Sequence, residues 1–150
     1  MIKIICVGKI KEQYLKDATL EYLKRLSKYT KIEILELPDY NFDIKKTIDL
    51  ESDNILKNIK ETDYNILLDI DGKSYNSIEF ANNLDKIRNN YSNINFIIGG
   101  SNGVNDKIKN IVKERISFSK LTFPHQLFRV ILLEQIYRSF KILNNEEYHK

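Results

Sequence analysis

The side chains in this sequence that could do chemistry are few, and most lie in its last third. There are only two histidines, His125 and His149. His125 follows Pro124 at the head of a long apolar stretch, where an imidazole can either line a pocket or simply begin a helix. His149 stands in the terminal run Glu146, Glu147, Tyr148, His149, Lys150, which reads as a frayed end or as a functional tail. Arg129, Glu134, Gln135 and Arg138 are set into the apolar stretch, and such groups are costly to bury without partners. Arg138 is spaced to pair with Glu134 one helical turn away. Asp69 and Asp71 share a face if the chain is extended there. Paired carboxylates can serve as acid and base or hold a cation, but with no other carboxylate close by, a capped turn is the simpler reading. Gly99-Gly100-Ser101-Asn102-Gly103 either forms a tight turn or lets a ligand approach bare backbone.

Other chemistries are absent. There is no GxGxxG, no GxxxxGK[ST], no GxSxG, no HExxH and no Cys/His zinc spacing. The missing phosphate cradle favours a ligand without a phosphate chain. The single cysteine, Cys6, lies in an apolar run and reads as a buried structural thiol that cannot form an internal disulfide.

These groups need a frame, and the periodicity supplies one. Residues 2–7 form a short apolar run, read as a buried strand closed by Gly8. Residues 11–28 read as a helix with Tyr14, Ala18, Leu20, Tyr22, Leu23 and Leu26 inward. A strand at 31–37, a loop at 39–44 and a helix at 47–60 follow. Residues 64–70 read as a strand ended by an Asp71-Gly72 turn. Ser77 is placed to cap a helix that buries Phe80, Ala81, Leu84 and Ile87. A strand at 95–98, a short helix at 106–113 and a strand-like segment at 116–123 come next, stopped by Pro124. The last helix, from about His125 to Lys141, carries Leu127, Val130, Ile131, Leu133, Ile136, Tyr137 and Phe140, with Phe128 and Leu132 widening the stripe. That is more than the ~100° a surface helix needs, so one side is expected on the sheet and the other on a second subunit. The alternation predicts one α/β domain with a largely parallel sheet and helices on both faces. Ligands of such sheets bind beyond the carboxyl ends of the strands, which directs attention to residues 69–73, 99–104 and 118–129.

Composition fits this frame. The chain has 150 residues, 42% hydrophobic and 30% charged, enough for one domain that buries roughly 70% of its unfolded surface. The net charge of +3 is unevenly spread. Residues 1–31 hold eight Lys/Arg against three Asp/Glu, residues 32–105 seven against thirteen, and residues 106–150 nine against five. If the two basic ends meet in space they make a face suited to a polyanion such as RNA; otherwise they are solvated lysines. No apolar run reaches the ~20 residues of a membrane span, and the opening residues do not form a signal peptide, so a cytoplasmic protein is expected.

Five stretches together resemble one known family. These are VGKIKEQYLKDATLEYLKRL (7–26), LLDIDGK (67–73), FIIGGSNGV (96–104), SFSKLTFPHQLFRVILLEQIYRSFKI (117–142) and the terminal YHK (148–150). In this order and at this length they resemble the small SPOUT-class methyltransferases that methylate N3 of a pseudouridine in bacterial 23S ribosomal RNA. The resemblance implies a parallel α/β sheet with a C-terminal trefoil knot, a homodimer, and S-adenosylmethionine as cofactor, with no metal and no membrane. Carried over by position, the cofactor pocket would involve Leu68, Gly99, Phe118, Ser119, Lys120, Leu121, Thr122 and Phe123. His125, Arg129, Tyr148, His149 and Lys150 would lie toward the RNA, and assembled ribosomes would be the substrate. Some relatives end in Arg where this chain has Lys150, which keeps the charge but loses the bidentate fork. Some carry Pro-Glu in place of Ser101-Asn102, which argues against an essential carboxylate there. On the residues alone, a nucleotide-binding module and a non-catalytic ribosome-associated protein remain the alternatives.

Overall fold

Short Ile- and Val-rich runs alternate with amphipathic stretches, and in the computed structural model, which describes residues 1–150, they become ten elements. The strands are β1 (Ile2–Val7), β2 (Ile32–Leu37), β3 (Tyr64–Ser74), β4 (Ile94–Ile98) and β5 (Glu114–Ser117). The helices are α1 (Gln13–Leu26), α2 (Ile44–Lys57), α3 (Ser77–Asn90), α4 (Asp106–Ile111) and α5 (His125–Leu143). The strands form one sheet in the order β2-β1-β4-β3-β5, and every neighbouring pair is parallel.

Alternation along β1 sorts the core into two layers, because successive side chains in a strand point to opposite faces. Ile4 and Cys6 join a cluster with Leu26 of α1, Phe80 and Leu84 of α3, and Leu133, Ile136 and Phe140 of α5. Ile5 and Val7 join Ile55 of α2 and Ile108 of α4 on the other face. The two crossovers that step toward β2, through α1 and α3, use the first face. The two that step toward β5, through α2 and α4, use the second. A uniform crossover hand requires this division.

The expected parallel α/β sheet with helices on both faces is present, and the element boundaries differ for identifiable reasons. In α1 the inward positions are Leu15, Thr19 and Leu26, not Tyr14 and Leu20, which are 68% and 64% exposed. Thr19 is accommodated because its hydroxyl donates to the Leu15 carbonyl at 2.8 Å. Helix α2 starts at Ile44, earlier than expected, because the Asp43 carboxylate accepts from Lys46 N–H. Asn76, not Ser77, caps α3; its side chain accepts from Glu79 N–H while Glu79 reaches back to the Asn76 N–H.

Strand β3 does not stop at Asp71-Gly72 but continues through a register shift between Leu68 and Lys73. Gly72 permits this: a Cβ there would lie 2.6 Å from the Arg115 carbonyl carbon of β5. Strand β5 ends at Ser117, so residues 118–124 are a loop rather than a strand. The basic ends do meet, since α1 packs on α5. Arg25 stands over the Tyr137 ring at 5.7 Å, and Lys28 and Lys141 both pair with Glu146. Cys6 is fully buried, as expected, and burial pushes its thiol up to about 11.

Candidate cofactor cleft and active site

The carboxyl ends of β3, β4 and β5 open into a cleft of about 650 Å³, within the roughly 300–1,000 Å³ of small-molecule sites. Leu68, Asp69 and Ile70 of β3 form one wall, Ile98 and the turn from Gly99 to Gly103 a second, and Ser117 with the following loop a third. Seven of the eight cofactor candidates meet here: Leu68, Gly99, Phe118, Ser119, Leu121, Thr122 and Phe123. Lys120, in the same loop, is exposed and does not line the cleft.

Two turns shape these walls. In the first, Gly103 N–H donates to the Gly100 carbonyl at 3.0 Å, and Gly103 takes a φ of +83° that favours glycine. Gly99 has no room for a Cβ, which would meet Val104 Cγ1 at 2.9 Å. Behind Gly100 lies Glu51 of α2, whose Oε1 would stand 2.6 Å from a Cβ placed there. Glu51 is buried, and burial, reinforced by Asp39, raises its carboxyl above the usual range although Tyr40 N–H donates to it. Nothing in the spacing of α2 singled out Glu51.

The second turn, residues 118–124, is held mainly by aromatic stacking. Phe118 meets Phe80 and Phe128 edge-on at 5.6 and 5.2 Å, and Phe123 stacks on Phe128 at 5.7 Å. Its internal hydrogen bonds are few: Ser119 Oγ accepts from Leu121 N–H, the Ser119 carbonyl from Ser117 Oγ, and the Pro124 carbonyl from Phe128 N–H. Backbone groups of Thr122 and Phe123 are therefore free to bind a ligand edge. Leu121 is 74% exposed over the opening. Apolar walls, free backbone donors and acceptors, and no lysine or arginine among the lining residues suit a compact cationic or neutral ligand better than a polyphosphate.

His125, the first residue of α5, also lines this cleft. Its ring Nε2 and the Asp39 carboxylate each lie 3.8 Å from where a Gly8 Cβ would stand. Burial, then the Arg129 charge, lowers its pKa, while Asp39 opposes the shift. At neutral pH the imidazole is therefore uncharged and able to accept a proton.

Arg129 departs from its expected place on the RNA side: it is 0% exposed. Nη2 donates to the carbonyls of Val7 and Gly8 at 3.0 and 2.8 Å, and Nη1 to Glu36 Oε2 at 2.7 Å. No spacing or motif marks these partners, two of which are backbone atoms more than a hundred residues away. Tyr148 and His149 are not brought to the cleft within one chain. Tyr148 Oη donates to Glu134 Oε2 at 2.9 Å, and His149 Nδ1 lies 3.0 Å from Arg138 Nη1. The tail is thus packed on α5 rather than frayed, while Lys150 is exposed. Arg138 makes the expected pair with Glu134 at 3.0 Å. Asp69 and Asp71 lie within β3 rather than in a capped turn, with Asp69 Oδ1 accepting from Asp71 N–H and Oδ2 pairing with Arg115.

The chain that forms this sheet and cleft matches, over residues 1–149, the model of a family described as "Predicted SPOUT methyltransferase". The chain belongs to that family of methyltransferases. Its relatives along the full length carry a more particular name, ribosomal RNA large subunit methyltransferase H. The one from Fusobacterium nucleatum subsp. nucleatum is 50% identical over 153 residues, covering 99% of each chain. The one from Caldicellulosiruptor saccharolyticus is 49% identical over 154 residues and covers all of both. Among solved structures, a tRNA (m1G37) methyltransferase from Aquifex aeolicus shares the fold, with a TM-score of 0.51 at 15% identity over 91% of this chain and 69% of that one.

Proposed function

We propose that the protein transfers a methyl group from S-adenosylmethionine to N3 of a pseudouridine in 23S ribosomal RNA, in the cytoplasm and on assembled ribosomes. The observation that carries this is the convergence of Leu68, Gly99, Phe118, Ser119, Leu121, Thr122 and Phe123 on one cleft, in a chain half identical to proteins named for that RNA. When bound, the cofactor supplies an electrophilic methyl group on a sulfonium. Leu68 and Leu121 would be its apolar walls, and the free backbone around Leu121, Thr122 and Phe123 would read its adenine edge. In the transfer, the bond from N3 to the methyl carbon forms as the sulfur–carbon bond breaks, and the imide proton leaves N3. His125, uncharged and at the cleft, is the proposed acceptor; alignment of nucleophile and methyl group does the rest.

We further propose the homodimer and the C-terminal trefoil knot of this family. Family membership supports both, and the dimer also accounts for the half-buried flank of α5 at Val130 and Ile131 and for exposed Leu121 and Leu127. In the dimer, Tyr148 and His149 have a route to a cleft that they do not reach within their own chain. Two measurements test the reading. Calorimetry should show S-adenosylmethionine binding to the folded protein, and absence of binding would refute it. Mass mapping of 23S ribosomal RNA from a deletion strain should show a pseudouridine without its N3 methyl group; a methyl group still present would exclude the activity.

A further inference from the structure

Arg129 is the largest fully buried side chain, and it is charged. For stability alone an apolar side chain of similar volume does as well or better in such a place. The guanidinium is not even fully satisfied, since its buried Nε has no hydrogen-bond partner. Its contacts all fall on one short stretch and that stretch's neighbour. Nη2 holds the last two carbonyls of the β1 end, Val7 and Gly8, and Nη1 holds Glu36 near the end of β2. The same Glu36 oxygen accepts from Ile10 N–H at 2.9 Å. Gln126 Oε1, in the first turn of α5, accepts from Lys11 N–H at 3.0 Å. Three side chains from two elements thus fasten residues 7–11 against the start of α5.

That start has no other fastening of this kind. Pro124 occupies the cap position and makes no side-chain cap bond. His125 and Arg129 are four residues apart and so share one face of the helix. Whatever fixes the direction of Arg129 fixes the rotation of this turn about its axis, and with it the ring of His125 beside Gly8 and Asp39.

We infer that Arg129 is a positioning residue: with Glu36 as its partner, it clamps the carboxyl ends of β1 and β2 to the first turn of α5 and so sets where His125 stands in the cleft. The inference rests on the methyl-transfer reading above and assigns Glu36 and Gln126 a part in it.

The test compares full-length Arg129→Lys, Glu36→Ala and Glu36→Gln with the unaltered protein. Each is measured for melting temperature, S-adenosylmethionine affinity, kcat and KM on ribosomes lacking the methyl group, and the NMR signals of the His125 ring. A lysine keeps the charge but cannot reach two carbonyls and a carboxylate together. Misplacement by about 1 Å costs up to a hundredfold in rate, so kcat should fall on the order of ten- to a hundredfold in Arg129→Lys and Glu36→Ala. Cofactor affinity should change by less than about threefold, because neither residue lines that pocket. Glu36→Gln keeps an oxygen for both donors and should recover most of the rate, and the His125 signals should shift in the two impaired variants only. Unchanged kcat and His125 signals in folded Glu36→Ala would overturn the inference, as would a loss in Glu36→Gln equal to that in Glu36→Ala. If Arg129→Lys does not fold, the two Glu36 variants decide alone. If the unaltered protein neither binds cofactor nor methylates ribosomes, the functional reading fails first, and the two failures are told apart.

Discussion

At the scale of single residues, His125 and Arg129 are coupled through charge as well as through helix geometry. Burial and the neighbouring guanidinium lower the His125 pKa below its ordinary 6.5, with Asp39 opposing. The unfolded chain therefore binds this proton at higher pH than the folded one. Stability contributed by the neutral ring is present above about 6.5 and is lost as pH falls from there through the folded-state value. An NMR titration of the His125 ring should give a midpoint under 6.5. Asp39→Asn should lower the midpoint further, and a midpoint above the ordinary value would contradict the burial argument. Arg129→Ala removes three hydrogen bonds to atoms at the ends of β1 and β2. Glu36, being partly exposed, can recover water, so a loss of about 2–4 kcal/mol is expected in denaturant titration. The sequence set a charge into the apolar stretch at 129 but showed neither that it would be fully buried nor what would hold it. Hydrogen-bond partners supplied by backbone carbonyls leave no mark in residue types.

At the scale of elements, glycine and capping positions give the sharpest expectations. Gly72→Ala should part β3 from β5, because the new methyl group would sit 2.6–2.7 Å from the Arg115 and Ile116 backbone. Hydrogen exchange should then rise at residues 114–117 and in the adjoining cofactor loop, and unaltered protection there would refute this account of the bulge. Asn76→Ala breaks a capping box and should cost about 1 kcal/mol. Ile136→Ala, at a fully buried site on α5, should cost about 2–5 kcal/mol; both are read from thermal or denaturant melts. Periodicity made the helices and central strands legible, because burial of β1, β4 and α5 is written in their apolar spacing. It failed where tertiary contact overrides local pattern. Tyr14 and Leu20 are apolar yet outward, and β3 runs through a dipeptide that ordinarily turns. The segment after Ser117 has strand-like composition but leaves the ladder to stack its rings on Phe128.

At the scale of the molecule, the basic termini of the sequence come together where α1 packs on α5. Part of that charge is spent internally, on Glu21 and Glu146. Association with ribosomes should therefore weaken with salt, but with a shallow slope for each chain; KM measured from low to physiological salt checks this, and a salt-independent KM would remove phosphate contact from the account. The α/β class, the parallel sheet and the position of the cleft were legible in the sequence, and the cleft gathers most of the residues that the family motifs marked. The pairing of the tail with Glu134 and Arg138 was only half legible, since spacing revealed the Glu134–Arg138 pair but not what folds back onto it. The strand order has a consequence for how the chain reaches this state. Strand β1 is made first and lies inside the sheet, yet Ile2 pairs with Ile94 as well as with Ile32. During synthesis its second edge stays open until β4 emerges, and β3 has nothing to join until then either. The rate of folding should be governed by this long-range closure, in the slower range typical of non-local sheets, and a nascent chain ending before residue 94 should depend on chaperones to keep that open edge from pairing elsewhere.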